Sequence, residues 1–97
     1  MTLDAASLDL LFHNARTANG FTDKPVPADL LRRIYATACM APTSMNTQPT
    51  RYVFLTTPAA KARLMPALMP GNVDKTKSAP VTVIVATDTQ FYEHMPK

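Results

Sequence analysis

The chain has 97 residues, 46% hydrophobic and 18% charged, which excludes a disordered segment and leaves room for one small domain, not two. Ten Lys and Arg against seven Asp and Glu give a net charge of +3, but these residues are scattered and form no arm or stripe for nucleic acid. The one cysteine, Cys39, excludes a disulfide within the chain, and no stretch approaches the ~20 apolar residues of a membrane span.

The opening segment, MTLDAASLDLLF, carries acids where a signal peptide carries positive charge, so a cytoplasmic location is expected. Leu8, Leu11, Phe12 and Ala15 recur at helical spacing and predict a first helix over 7–16. Gly20 and the stretch Asp23, Lys24, Pro25 end it. Pro27 sits where a first helical residue is favoured, and Leu30, Leu31, Ile34 and Ala38 mark one face of a second helix running to Met40. Pro42 cannot continue it. The run RYVFLT at 51–56 reads as a strand. Thr57 can cap and Pro58 can open a third helix through Leu64, with a break at Pro66. One or two helical turns are expected over 72–77. The run VTVIVAT at 81–87 is apolar on both faces, as in the middle of a covered sheet. Residues 91–97 read as the start of a further helix.

The order α-α-β-α-β describes an α+β fold in a single domain, 1–97. Two strands do not make a stable sheet, so the sheet is expected to be incomplete in this chain, which reads as a fold cut short.

The usual catalytic devices are missing. Two glycines cannot build a GxGxxG turn or a phosphate loop. His13 and His94 lack partners at ligand spacing, the acids are isolated, and no Cys/His cluster implies a metal. Cys39, on an apolar helix face without a nearby His, reads as a buried structural thiol. What remains is polar density between two prolines, in the segment Pro42, Thr43, Ser44, Met45, Asn46, Thr47, Gln48, Pro49. It follows a helix and precedes a strand, so both ends are anchored. Hydroxyls, amides and backbone N–H groups held this way suit a ring with alternating donors and acceptors, such as the pyrimidine side of a flavin. The same residues also make an ordinary polar turn, and chemistry alone leaves both readings open. A small basic module for anionic partners, suggested by the +3 charge, finds no aromatic and basic stripe to support it.

The 42–49 segment resembles the Pro-Ser-x-x-Asn-x-Gln-Pro signature of the nitroreductase family, with Thr43 in place of the first Ser. Residues 15–21 (ARTANGF) resemble the family's Arg-Arg-Ser-x-Arg-x-Phe block, with Ala15 at its first Arg and Asn19 at its third basic position. Gly71 to Lys75, then Ala79, Pro80 and the apolar strand, resemble a third block. HNARTANGF, APTSMN and PGNVDKTKSAPVTVIVAT are most similar to the malonic semialdehyde reductase branch, linked to pyrimidine breakdown. The three blocks stand in family order and cover nearly the whole chain, although Thr50 replaces the aromatic residue that commonly follows Gln-Pro.

The resemblance implies the N-terminal part of a longer α/β sandwich. It also implies a homodimer with FMN at the interface, NADH or NADPH as electron donor, and a small aldehyde such as malonic semialdehyde as acceptor. A nitro or quinone acceptor is the alternative within the family, and a non-catalytic piece unable to hold FMN alone is the alternative for these 97 residues. By the same resemblance, Arg16, Thr17 and Asn19 approach the FMN phosphate or ribityl chain. Asn72 and Lys75 approach the ring. Pro42, Thr43, Ser44, Asn46 and Gln48 serve the flavin of the partner subunit. No proton-transferring side chain is implied.

Overall fold

The computed structural model describes residues 1–96. The first helix, α1, spans Ala5–Leu8 and continues as one wider π-helical turn, Asp9–His13. It begins before the expected residue 7 because the Asp4 carboxylate accepts from the Ser7 N–H at 2.8 Å, an N-cap bond. It ends before the expected residue 16. Asn14 N–H closes on Asp9 O at 2.8 Å, and the Arg16 guanidinium donates to the carbonyls of His13 and Ala15. Residues 14–27 then run without regular structure.

Helix α2 spans Ala28–Ala38. Pro27 stands just outside it, and its carbonyl accepts from Leu30 and Leu31. Strand β1 is Thr50–Leu55, α3 is Pro58–Leu64 and α4 is Pro70–Ser78, and strand β2 is Thr82–Thr87. Thr57 caps α3 as expected, its hydroxyl accepting from Ala60 N–H at 3.1 Å. Pro66 lies in a 3₁₀ turn, Met65–Ala67, that ends α3. Helix α4 is longer than the turns expected over 72–77 because Pro70 supplies a preset first turn. The expected last helix is a 3₁₀ turn, Phe91–His94, and Lys97 lies outside the described residues.

β1 and β2 pair antiparallel, with Thr50 opposite Thr87 and Leu55 opposite Thr82. Alternation along β1 sends Tyr52 and Phe54 to one face, where α2 packs. The rings of Tyr35 and Tyr52 meet edge to face at 5.9 Å, and Ala28, Leu31 and Phe54 line one groove. Val53, Leu55 and Ile84 share a groove with Ala60 and Leu64 of α3 on the other face. Helices thus lie on both faces of the strand pair, an α+β sandwich.

The expected central position of the apolar strand is not realised within this chain. Among the described residues β2 has β1 on one side and no strand on the other, and Val83, Ile84 and Val85 are exposed. Leu11 and Phe12 of the first helix are exposed too. Among the described residues only Ala79 and Lys61 are buried. The accessible area is 8284 Å², against about 5,500 Å² for a folded monomer of this mass. The radius of gyration is 16.5 Å, against about 13 Å for a compact domain of this length. The elements are formed, but most of the surface they would bury in a core is open.

Candidate functional site

The 42–49 loop leaves α2 through Cys39 and the turn at Met40 and Ala41, and it enters β1 at Thr50. Three of its residues hold left-handed backbone: Met45 (φ 52°), Asn46 (φ 55°) and Gln48 (φ 45°). None is glycine, and this conformation costs an L-residue roughly 1–2 kcal/mol. Asparagine accepts it readily; methionine and glutamine do so less often.

Bonds inside the loop offset part of that cost. Asn46 N–H donates to Thr43 O at 3.1 Å, and Thr47 N–H donates to Ser44 O at 3.0 Å. Gln48 N–H donates to Thr43 Oγ1 at 3.1 Å, and Gln48 Nε2 donates to Asn46 Oδ1 at 2.8 Å. The amide nitrogen of Asn46 and the amide oxygen of Gln48 remain as a free donor and a free acceptor among the described residues. Ser44 and Asn46 face solvent.

Two further groups outside the loop hold its exit. Arg51 donates to Gln48 O at 2.9 Å and pairs with Asp88 at 2.9 Å, and Asp88 N–H donates to Pro49 O at 2.7 Å. In the sequence Arg51 closes the polar segment that begins at Ala41, but neither it nor Asp88 carries a signal for this role. Asp88 is 37 positions from Arg51, and only the strand register brings them together.

Beneath the loop is a cavity of about 200 Å³ lined by Pro42, Thr43, Gln48, Tyr35, Cys39 and Arg51, among others. Cys39 is half-buried there, at the C-cap of α2, and not the fully buried thiol expected. Hydrogen bonding to Cys39, then the charge of a Cys39 thiolate and partial burial, raise the Tyr35 pKa, while Arg51 opposes the rise.

The other expected site residues lie elsewhere. Asn72 and Lys75, one turn apart on α4, line an open groove with Ala18, Phe21, Leu68 and Val81. This groove joins the first and third sequence blocks, with an amide and an ammonium set among apolar walls. Arg16, Thr17 and Asn19 stay on the exposed irregular run outside it, and the Arg16 guanidinium is turned back onto its own helix end. The candidate residues therefore fall into two sets that line different cavities: Pro42, Thr43 and Gln48 in one, Asn72 and Lys75 in the other. Among the described residues no group of three or more His, Cys, Asp or Glu could hold a metal, and no helix is long and apolar enough to cross a membrane.

Comparison with known proteins agrees with this fold. A Stenotrophomonas maltophilia (strain R551-3) protein that carries the provisional name NADH dehydrogenase/NAD(P)H nitroreductase is 57% identical over 94 residues. The match covers 97% of this chain and 48% of that protein. A similarly named protein of Ralstonia nicotianae is 51% identical over 99% of this chain and 49% of its own length. The chain thus spans about half the length of the curated relatives it matches. Among solved structures, CLA-ER, an enone reductase of gut-bacterial fatty acid saturation metabolism, superposes with a TM-score of 0.86 at 30% identity. That superposition covers 96% of this chain and 44% of the other. A nitroreductase family protein of Streptococcus pneumoniae TIGR4 gives 0.73 at 31% identity, over 80% of this chain and 38% of the other. With the family model matching residues 14–90, and the fold and blocks described above, the chain belongs to the nitroreductase family.

Proposed function

We propose that the protein is an FMN-dependent NAD(P)H oxidoreductase acting as a homodimer. The observation that carries this reading is the groove around Asn72 and Lys75. Its apolar walls, Phe21, Leu68 and Val81, suit the flat face of a flavin ring. The Asn72 amide can donate and accept at the ring edge. In that groove the Lys75 ammonium would favour the negative charge of reduced flavin. When bound, FMN supplies hydride transfer between NAD(P)H and an acceptor. The 42–49 loop lines a different cavity, which supports its serving the flavin of the partner subunit with Thr43, Ser44, Asn46 and Gln48. Arg16, Thr17 and Asn19 are exposed and within the same chain segment as Ala18 and Phe21, as contacts to a ribityl chain or phosphate require.

Malonic semialdehyde is the proposed acceptor, reduced to 3-hydroxypropanoate in pyrimidine degradation, and the cytoplasm is the proposed location. Protein purified from the complete reading frame should be yellow, release FMN on denaturation, and oxidise NADH or NADPH with the aldehyde at higher kcat/KM than with nitroaromatics or quinones. Colourless protein that gains no visible absorbance with added FMN sinks the flavin reading; a preference for quinone or nitro acceptors removes the aldehyde.

A second reading applies to the 97 residues on their own. Their open surface and the near absence of a core among the described residues favour a chain that does not hold FMN without further structure. Micromolar or tighter FMN binding by this chain alone, roughly −8 kcal/mol, would count against it.

A further inference from the structure

The left-handed backbone of the loop has an external brace. Arg51, in β1, turns its guanidinium back over the loop exit. Its Nη1 donates to the carbonyls of Gln48 at 2.9 Å and Thr50 at 3.1 Å, and its Nη2 donates to Asp88 Oδ2 at 2.9 Å. Asp88 follows β2, where the Thr50–Thr87 register delivers it to the same point. It is fixed by three groups: its N–H donates to Pro49 O at 2.7 Å, its Oδ1 accepts from Gln90 N–H at 2.9 Å, and its Oδ2 receives Arg51. His94 Nε2 stands 3.5 Å from that same oxygen. The Asp88 side chain is 23% exposed and that of Arg51 48%, so the carboxylate is the shielded partner of a half-open pair.

The loop's own bonds join loop residue to loop residue. They set its shape but do not tie it to the sheet. Arg51 and Asp88 supply that tie at Gln48 and Pro49, and Gln48 is one of the residues held at positive φ. The guanidinium reaches two carbonyls and a carboxylate from two separate nitrogens because its donors form a planar fork; an ammonium would have to serve all three from one nitrogen.

We propose that Arg51 and Asp88 are positioning residues for this loop. The pair clamps Gln48 and Pro49 to the end of β2 and so holds Thr43, Ser44 and Asn46 in the arrangement that receives a flavin ring. The role rests on reading the loop as flavin-holding, and the experiment separates the two.

Amide hydrogen exchange at Gln48 and Asp88 is measured without flavin in protein from the complete reading frame, and FMN affinity is measured by titration. Arg51→Met should speed exchange at both amides by about tenfold or more, with Ala60 and Ala79 unchanged. It should also raise the Kd for FMN about tenfold. Arg51→Lys, which keeps the charge and loses the fork, should fall between. Asp88→Asn should loosen Gln48 as well, and adding Arg51→Met to it should do less than Arg51→Met alone.

Unchanged exchange at Gln48 and Asp88 in these variants overturns the clamp, whether or not the protein binds flavin. So does equal loosening of Ala60 and Ala79 in Arg51→Lys and Asp88→Asn, which would mark a fold-wide effect. Faster loop exchange with an unaltered Kd for FMN overturns the positioning role. Wild-type protein with no FMN affinity overturns the flavin reading and the positioning role with it, while the exchange rates still decide the clamp.

Discussion

The Lys61 ammonium donates to the carbonyl of Ala79 at 2.6 Å and to that of Lys77 at 3.1 Å. Lys61 lies in α3 and both acceptors stand at the C-terminal end of α4, so one side chain from one helix completes the other. A helix end leaves carbonyls without partners, and a cation there also meets the negative end of the helix dipole. Lys61 is 9% exposed, so water cannot readily replace it.

Lys61→Met keeps the stem and removes the donors. It should destabilise the protein by about 1–3 kcal/mol, because one buried and one part-buried carbonyl lose their partner. Thermal denaturation checks this; a Tm equal to that of the wild type would show that the carbonyls find other partners.

Met45 tests the loop backbone. Its side chain is exposed and its φ is 52°, so substitution there changes the backbone preference and little else. Met45→Val should cost about 1 kcal/mol more than Met45→Gly, since β-branching disfavours left-handed backbone and glycine does not. Denaturant midpoints of the two variants compare them directly, and equal midpoints would refute strain at this position.

Tyr35 offers a titration. Its pKa is raised from the ordinary value of 10.0, first by the bond with Cys39. The folded state therefore favours the neutral phenol. The stability this contributes is fully present below pH 10.0 and is lost as pH rises through the higher folded value. Cys39→Ala should bring the phenolate absorbance of Tyr35 in at lower pH than in the wild type, and an unchanged titration would remove the bond as the cause.

Asp4 works in the opposite direction. The Ser7 hydrogen bond holds its carboxyl below the ordinary value of 3.8. Its contribution is present above pH 3.8 and is lost as pH falls through the lower folded value. Asp4→Ala should therefore melt earlier than the wild type near neutral pH, with the gap closing in acid; a gap independent of pH would rule out the carboxylate cap.

Lys75 is the residue on which the proposed flavin site depends most. Lys75→Met should raise the Kd for FMN about tenfold, and should lower the flavin reduction potential because the charge favouring reduced flavin is gone. An unchanged potential would place Lys75 away from the ring.

Local features were legible in the sequence. Thr57 and Pro58 announce α3 because a cap acts within three residues, and β-branched and aromatic residues announce β1 and β2. The loop stood out through its prolines and amides, although only the order of all three blocks favoured a flavin loop over a turn. The π-helical turn at Asp9–His13 was not legible, since its residues have ordinary helical spacing. Lys61 with Ala79 and Arg51 with Asp88 were not legible either. Each pair joins distant positions, 18 and 37 residues apart, and each needs a docking geometry or a strand register that no local pattern encodes. The apolar run of β2 was read as central, and its composition does suit that place; within these residues the strand has a neighbour on one side alone.

That bare strand has a consequence during synthesis. Val83 and Val85 are exposed on a strand with an unpaired edge, the kind of edge onto which another chain can add. A ribosome that has just released these 97 residues has made strands ready to pair and little to shelter them. Such a nascent segment is a natural client for chaperones until that edge is covered.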